Sequence, residues 1–316
     1  MEISVNIVNL NQKELLRKCL KSLEKNCKGI DYEVFVVDNG SDDGSQEMIK
    51  NEFKKVKLIE NNENIGVSKA RNKSLRLSAG NFILLMDNDV ELLNDSLKLM
   101  LDTLKGDERA GAVTCQILNP DKTIRPSHND RFPNYFDVFF DMLFFWSNIK
   151  NFFWKSKLFM KYLFPLLFRC YFKKHYIAWT GNMCLLVKRE ILEKIGLMDE
   201  NFFIYGDDID FCMRIKKAGY KILFLPSAQA IHHIGKVVLE RKDLYPEIIK
   251  SKIYFFKKHY RKSIAKAVEK TIFYGIMLRK FILSFLFKVR RNERCQKRLK
   301  SYCTLIALAK SKAVVN

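Results

Sequence analysis

The chain has no uninterrupted apolar run of about 18 residues, the length that crosses a bilayer as a single helix, so a spanning helix is not expected. Its opening stretch, MEISVNIVNL, lacks a basic leader and places Glu2 ahead of the apolar positions. It reads as a first strand, not as a secretion signal. The eight cysteines form no C-x-x-C pair and no small disulfide framework, which points to reduced thiols in a cytosolic protein, several of them in the core. There is no internal repeat. A pI near 9.6 raises nucleic-acid binding, but no helix-turn-helix, zinc or RNA-binding signature accompanies it.

What the chain does have is enough apolar content, 48%, to exclude a disordered polymer and to build a substantial core. Its length of 316 residues allows one large or two modest domains. The net charge of +21 is unevenly placed. Residues 137–176 carry 7 Lys/Arg against 2 Asp/Glu, residues 236–316 carry 22 against 5, and the remainder is net −1. A neutral body with two basic segments fits docking on anionic lipid as well as it fits nucleic acid.

The stretch NFILLMDNDV, Asn81 to Val90, joins an apolar run to three polar residues. Phe82 to Met86 suit a strand covered on both faces, as in a parallel sheet. Ligands of open α/β sheets bind at the carboxyl ends of the strands, where Asp87, Asn88 and Asp89 would lie. The spacing of Asp87 and Asp89 allows both carboxylates to face one divalent cation, for which hard oxygen ligands suit Mg²⁺ or Mn²⁺. Standing alone, a D-x-D reads rather as an acidic strand-end turn.

Around this stretch the pattern alternates. Strands are expected at Ile3–Val8, Tyr32–Val37, Val56–Glu60, Ala112–Ile117, Met183–Val187 and Ile222–Leu225, the last stopped by Pro226. Helices are expected at Gln12–Glu24, Val67–Leu77, Asn94–Leu104, Lys188–Ile195 and Asp207–Ala218, with a further one after a turn in which Ser45 or Asp43 serves as cap. Leu15, Leu16, Cys19, Leu20 and Leu23 mark the inner face of the first helix. Strand, helix, strand, helix is the grammar of a doubly wound, mostly parallel sheet. Residues 136–176 break it with crowded aromatics and regularly spaced lysines.

Seven motifs then fall in one order: Val8-Asn9-Leu10-Asn11, VVDNGSDDGS (36–45), N-x-G-x-x-x-A-R-N (64–72), DND (87–89), W-x-G-N (179–182), MDENFFIYGDDIDFCMRIKKAGYKILFLP (198–226) and His232. In this the chain resembles the inverting glycosyltransferases of family 2, which have the GT-A fold, and among them the rhamnosyltransferase-type enzymes of surface polysaccharides. The resemblance covers residues 3–120 and 177–235. It implies a nucleotide-sugar donor (UDP-, dTDP- or GDP-linked), a lipid-linked or glycan acceptor, and a Mg²⁺ or Mn²⁺ ion. By the same resemblance Asn9, Asn11, Asp38, Asn64, Gly66, Arg71, Asp87 and Asn88 would hold the donor, Asp38 by accepting from a pyrimidine N–H. Asp89, Asp87 and His232 would hold the metal, with His233 the alternative histidine. Trp179, Gly181 and Asn182 would wall the acceptor side. Of the Asp207-Asp208 pair, where the family more often has Glu-Asp, Asp208 would be the base and Asp207 its catalytic neighbour. Asp210 and Arg214, four apart on one helix, read instead as a structural ion pair.

The implied division is a nucleotide-sugar half (1–120), a variable aromatic and basic insertion (121–176), an acceptor half (177–239) and a basic amphipathic tail (240–316). On a helical wheel Lys266, Lys270, Lys280, Lys288 and Arg291 share one face of the tail, Arg279 and Arg290 fall off it, and apolar residues fill most of the rest. Such a helix suits a bilayer headgroup region, and it equally suits packing on its own domain. The expected protein is a cytoplasmic enzyme, peripheral on the inner face of the cell membrane. The competing readings are a basic nucleic-acid binder, disfavoured by the neutral body, and an inactive relative serving as membrane scaffold, disfavoured by the retained Asp38, Asp89 and Asp208.

Overall fold

A computed structural model of the chain describes residues 1–144, 169–233, 244–290, 299 and 302–306. These fall into two compact units, one of residues 1–132, 169–203 and 207–233, the other of residues 133–144, 204–206 and the described residues from 244 onward.

The first unit is built on a sheet of β1 (Ile3–Asn9), β2 (Tyr32–Asp38), β3 (Val56–Glu60), β4 (Phe82–Asp87), β5 (Val90–Leu93), β6 (Ala110–Leu118), β8 (His175–Ile177), β10 (Cys184–Lys188) and β11 (Lys221–His232). Its order is β3-β2-β1-β4-β10-β6-β11-β5, with β8 also on β11, and a separate pair joins β7 (His128–Asn129) to β9 (Trp179–Thr180). β1, β2, β3 and β4 run parallel, whereas β10 runs antiparallel to both β4 and β6. Helices α1 (Lys13–Asn26), α2 (Ser45–Glu52), α3 (Val67–Leu77), α4 (Ser96–Lys105), α6 (Arg189–Ile195) and α7 (Asp207–Lys217) belong to this unit.

The core explains the element choice. Ile83, Leu84, Leu85 and Met86 of β4 are buried on both faces, as their unbroken apolar run requires. Leu16, Cys19, Leu20 and Leu23 of α1 are buried at helical spacing, while Leu15 is only half-buried. Cys19, Cys27, Cys115, Cys184 and Cys212 are buried free thiols.

Two local expectations change. The last strand does not stop at Pro226: β11 continues to His232, because its register against β6 jumps from Leu225↔Cys115 to Gln229↔Gln116. Pro226, Ser227 and Ala228 occupy that irregularity, where a residue without an N–H costs the ladder nothing. At α2, Gly44 takes the cap position with φ +79°, and Asp43 Oδ1, one residue earlier, accepts the Ser45 N–H at 3.0 Å. The other oxygen of Asp43 accepts the Lys13 N–H at the start of α1 (2.8 Å), so one turn carboxylate ties down two helix ends.

The second unit contains α5 (Tyr135–Phe144), α8 (Tyr245–His259) and α9 (Lys262–Arg290). Ile249, Ile253, Phe256, Val268, Ile272 and Ile276 are buried in it. At Gly275 a Cβ would lie 2.6 Å from Met142 Cβ, so only glycine lets α9 close on α5. Arg279, expected off the basic face, is buried there and donates through Nε to the Met142 carbonyl at 3.3 Å. No helix among the described residues is long and apolar enough to cross a membrane. Residues 145–168 of the aromatic insertion, Cys295 and Arg291, together with the Lys288 side chain, lie outside the described residues.

Candidate active site

Parallel pairing puts the ends of three strands side by side, with Asn9 opposite Asp38 and Val8 opposite Asp87. Side chains link along that edge: Asn88 Nδ2 donates to Asn9 Oδ1 at 2.7 Å, and Asn9 Nδ2 to Asp38 Oδ2 at 2.9 Å. Asp38 is 0% exposed, and it also accepts from the Ser41 N–H (2.8 Å), Ser41 Oγ (2.7 Å) and Gln46 Nε2 (2.8 Å). Four donors saturate a carboxylate, so any further donor would have to displace one of them. Asn11 sits at φ +50° and its amide oxygen accepts the Asp42 N–H, which holds the VVDNGSDDGS turn against the end of β1.

Asn64 Oδ1 accepts from the Asn39 amide (3.0 Å) and the Gly66 N–H (3.1 Å). Gly66 adopts φ +88°, and a Cβ there would lie 2.8 Å from the carbonyl oxygen of Phe203, which accepts the Val67 N–H. The backbone is pressed close at this loop, as its glycine implies. Arg71 is not a surface residue of α3. It is 2% exposed and its NH2 meets Asp87 Oδ1 at 3.2 Å, while its Nε has no partner among the described residues. Asn72 has a structural task, exchanging hydrogen bonds with the Met198 backbone and reaching Glu200.

Asp87, Asp89 and His232 each bring a ligand atom within 4.8 Å of the others. The antiparallel pairing of β5 with β11 sets His232 opposite Val90, and the Asp89 carbonyl accepts the His233 N–H. His232 Nε2 lies 3.0 Å from Asp89 Oδ1, whereas His233 Nε2 turns to Glu91 at 2.7 Å. Of the two histidines it is His232 that joins the acids. Burial raises the pKa of Asp87, with Arg71 pulling it down and Asp89 pushing it up. Two carboxylates and an imidazole in this crowding form an oxygen-rich donor set that suits Mg²⁺ or Mn²⁺ shared with a phosphate.

Asp207 and Asp208 open α7, where the helix dipole favours acids. Desolvation raises Asp207 against the pull of Arg71. Desolvation and the charge of Asp207 push Asp208 up to about 7. The segment of Trp179, Gly181 and Asn182, expected to wall the acceptor side, lies alongside. Cys212 of α7 packs its thiol on the Thr180 carbonyl, and a Cβ at Gly181 would stand 3.6 Å from Asp208 Oδ2. Asn182 is buried, its amide lowering the Asp207 pKa from beside it, and Trp179 Nε1 donates to the Arg131 carbonyl at 3.1 Å. Asp210 and Arg214 form their ion pair at 2.9 Å, with Arg214 NH1 also on the Ile195 carbonyl, a structural clasp.

Sequence reading passed over Arg125. It follows β6, its backbone N–H on the Ile117 carbonyl, and its half-buried guanidinium is drawn toward Asp89 and Asp87 while burial lowers its pKa. NH1 has no partner among the described residues. No spacing announces it: Arg125 sits in a segment without motifs.

A family model described as Glycosyl transferase family 2 matches residues 4–195. N-acetylglucosaminyl-diphospho-decaprenol L-rhamnosyltransferase of Mycobacterium tuberculosis is 27% identical over 213 residues, covering 63% of this chain and 66% of that protein. The chain thus spans just under two thirds of the length of that relative. Rhamnosyltransferase WbbL of Escherichia coli K12 is 21% identical over 73% of this chain and 83% of its own. Among solved structures, the mannosyltransferase PcManGT of Pyrobaculum calidifontis, in complex with GDP-Man and Mn²⁺, superimposes with TM-score 0.56 at 17% identity, covering 99% of this chain and 87% of its own. The fold is that of the GT-A glycosyltransferases.

Proposed function

Because this chain belongs to glycosyl transferase family 2, we propose that it is an inverting enzyme moving a sugar, rhamnose or another hexose, from a nucleotide-sugar donor to a lipid-linked or growing glycan acceptor in cell-surface polysaccharide synthesis. The observation that carries this reading is the convergence of Asp87, Asp89 and His232 with Asp207 and Asp208 at the carboxyl edge of one sheet. The lipid-linked acceptor draws support from the decaprenol-linked substrate in the name of the mycobacterial relative. Residues 1–120 are assigned to the donor and 177–239 to the acceptor.

In this reading the nucleobase lies against Asp38, a base N–H replacing the Gln46 amide, with Asn9 and Asn11 fixing the turn. Asn64, Gly66 and Asn88 line the diphosphate path. Asp208 accepts the proton of the acceptor hydroxyl as its oxygen bonds to the anomeric carbon on the face opposite the departing diphosphate. The C–O bond to that diphosphate breaks, and Arg71 and Arg125 meet the charge left on it. A divalent cation held by Asp89, Asp87 and His232 would add Lewis-acid stabilisation of the same phosphate oxygens. Trp179, Gly181 and Asn182 orient the acceptor beside Asp208.

The test is a panel of UDP-, dTDP- and GDP-sugars offered to the purified protein with Mg²⁺ or Mn²⁺. Cation-dependent turnover of one of them is expected, with Asp89→Ala folded but silent and unable to bind donor in a cation-dependent way. Full activity of Asp89→Ala, or of the parent in excess chelator, would remove the cation from this mechanism.

A further inference from the structure

His128 lies on β7 at 5% exposure, and neither of its ring nitrogens has a hydrogen-bond partner among the described residues. Its ring is held by Tyr171 and Phe224, with centroids 4.2 and 4.1 Å away, so its plane is fixed. A buried imidazole with both nitrogens unmet is costly unless something else satisfies a lone pair. Two residues on, Asp130 meets His175 of β8, which the sheet brings opposite Phe224.

The bonding of His175 is more telling. Its Nδ1 lies 2.9 Å from the Lys173 carbonyl oxygen. A carbonyl only accepts, so Nδ1 carries the hydrogen. In a neutral ring Nε2 then presents a lone pair, and Asp130 Oδ1 stands 3.1 Å in front of it. Two lone pairs face one another, and a positive charge belongs between them. The same Nδ1–H to carbonyl contact is the outer partner that metal-bound histidines use to fix their tautomer.

We propose that His128, Asp130 and His175 form a second metal site, for an imidazole-preferring ion of the Zn²⁺ class, separate from the Asp87, Asp89 and His232 cluster. One ligand atom from each of the three lies within 4.8 Å of the others. Two imidazoles and one carboxylate are a nitrogen-rich set that Zn²⁺ accepts, whereas Mg²⁺ prefers oxygen alone, so the two clusters select different cations. Burial pushes His128 down to about 4, leaving its lone pair available at neutral pH. Asp130 is exposed, which leaves a side open for water as a fourth ligand.

The ion would be structural, and its place gives it a task. Asn129, between two of the ligands, pairs with Trp179, and its carbonyl accepts the Ala178 N–H at 2.9 Å. Clamping β7 to β8 would therefore steady the strand leading into Trp179, Gly181 and Asn182. That consequence rests on the acceptor role proposed for this wall, while the metal site itself does not.

The experiment is a Zn²⁺ titration of the chelator-stripped full chain in saturating Mg²⁺, followed by calorimetry and by thermal melting. One Zn²⁺ per chain is expected, with a raised melting temperature. Asp130→Ala, at an exposed position, and His175→Gln should each weaken binding by more than the about 10–100-fold that loss of an outer partner costs. Asp89→Ala should bind Zn²⁺ as the parent does. In Co²⁺-loaded protein the visible absorption of an imidazole-ligated ion should appear in the parent and vanish in Asp130→Ala. Two results overturn the proposal: no Zn²⁺ uptake by the parent, which leaves His175 and Asp130 an ordinary protonated ion pair, or uptake that survives Asp130→Ala and His175→Gln undiminished, its loss in Asp89→Ala then placing the ion at the other cluster and its persistence there placing it at neither.

Discussion

A carboxylate that takes a proton from an acceptor hydroxyl works only when ionised, and Asp208 is pushed up to about 7 by desolvation and by Asp207. Transfer should therefore climb with pH through neutrality and level off above it, and Asp208→Asn should abolish that limb. The variant should keep donor affinity and lose about 10²–10⁴ in rate. If Asp207→Asn is the inactive protein and Asp208→Asn turns over normally, the roles within the pair are reversed. The same shift has a stability sign. The folded chain holds a proton on Asp208 that the unfolded chain, with an aspartate pKa of about 3.9, has already released. Stability contributed by this group is therefore full at low pH and falls as pH rises from about 4 through about 7. Asp87 and Asp207 are raised too and act in the same direction. In chelator, Asp208→Asn should melt above the parent near pH 8, with the gap closing near pH 4. Equal gaps at both pH values would show that Asp208 is not held protonated by its surroundings.

The loop from Asn64 into α3 concentrates several constraints on one glycine. Gly66 combines φ +88° and ψ 164° with a Cβ position 2.8 Å from both the Phe203 ring and its carbonyl oxygen. Such backbone is open only to glycine, at a cost of about 1–3 kcal/mol for other residues. Gly66→Ala should lower unfolding stability by about that much and weaken donor binding, since the Gly66 N–H would leave Asn64. An unchanged denaturation midpoint would show that the loop relaxes freely. Elements of this kind were legible in the sequence where their signals are local. The apolar runs of β1, β2 and β4, the helical spacing of α1 and the glycine before α3 fall within about two residues of expectation. The elements that stayed hidden are made by distant partners. β5 is four residues long and exists because β11 pairs with it, and β11 itself passes Pro226 because β6 tolerates an irregular register. Arg71 and Arg125 illustrate the same divide at the site. Arg71 came with a motif, whereas Arg125 comes within the influence of the acids' charge only through the long β6 and the turn after it.

At the scale of the whole molecule, a net-neutral body and a basic tail raise the matter of where the protein resides. The second unit offers an answer. On α9, Tyr274, Met277, Leu278, Phe281 and Phe285 are all exposed and recur at helical spacing, with Phe281 at 75% and Phe285 at 66% exposure. Exposed Lys270 and Lys266 lie one and two turns ahead of Tyr274 on the same side of the helix. On α5, Phe136, Phe140 and Leu143 make a second exposed stripe. An apolar strip headed by lysines is what an interfacial helix presents to anionic headgroups, the rings entering the acyl boundary and the ammonium groups snorkelling to phosphate. Each lysine near such a surface contributes about 1 kcal/mol and is screened by salt, while the rings are not. The protein should float with vesicles containing anionic lipid and not with neutral ones. High salt should release part of the bound fraction, and detergent the rest. Phe281→Asp with Phe285→Asp should reduce flotation while sparing nucleotide binding, because neither side chain supports the core. Equal failure to float with both vesicle types would leave the basic tail a solvated surface and favour a soluble glycan as acceptor. Undiminished flotation of the double variant would place the membrane contact elsewhere on the chain.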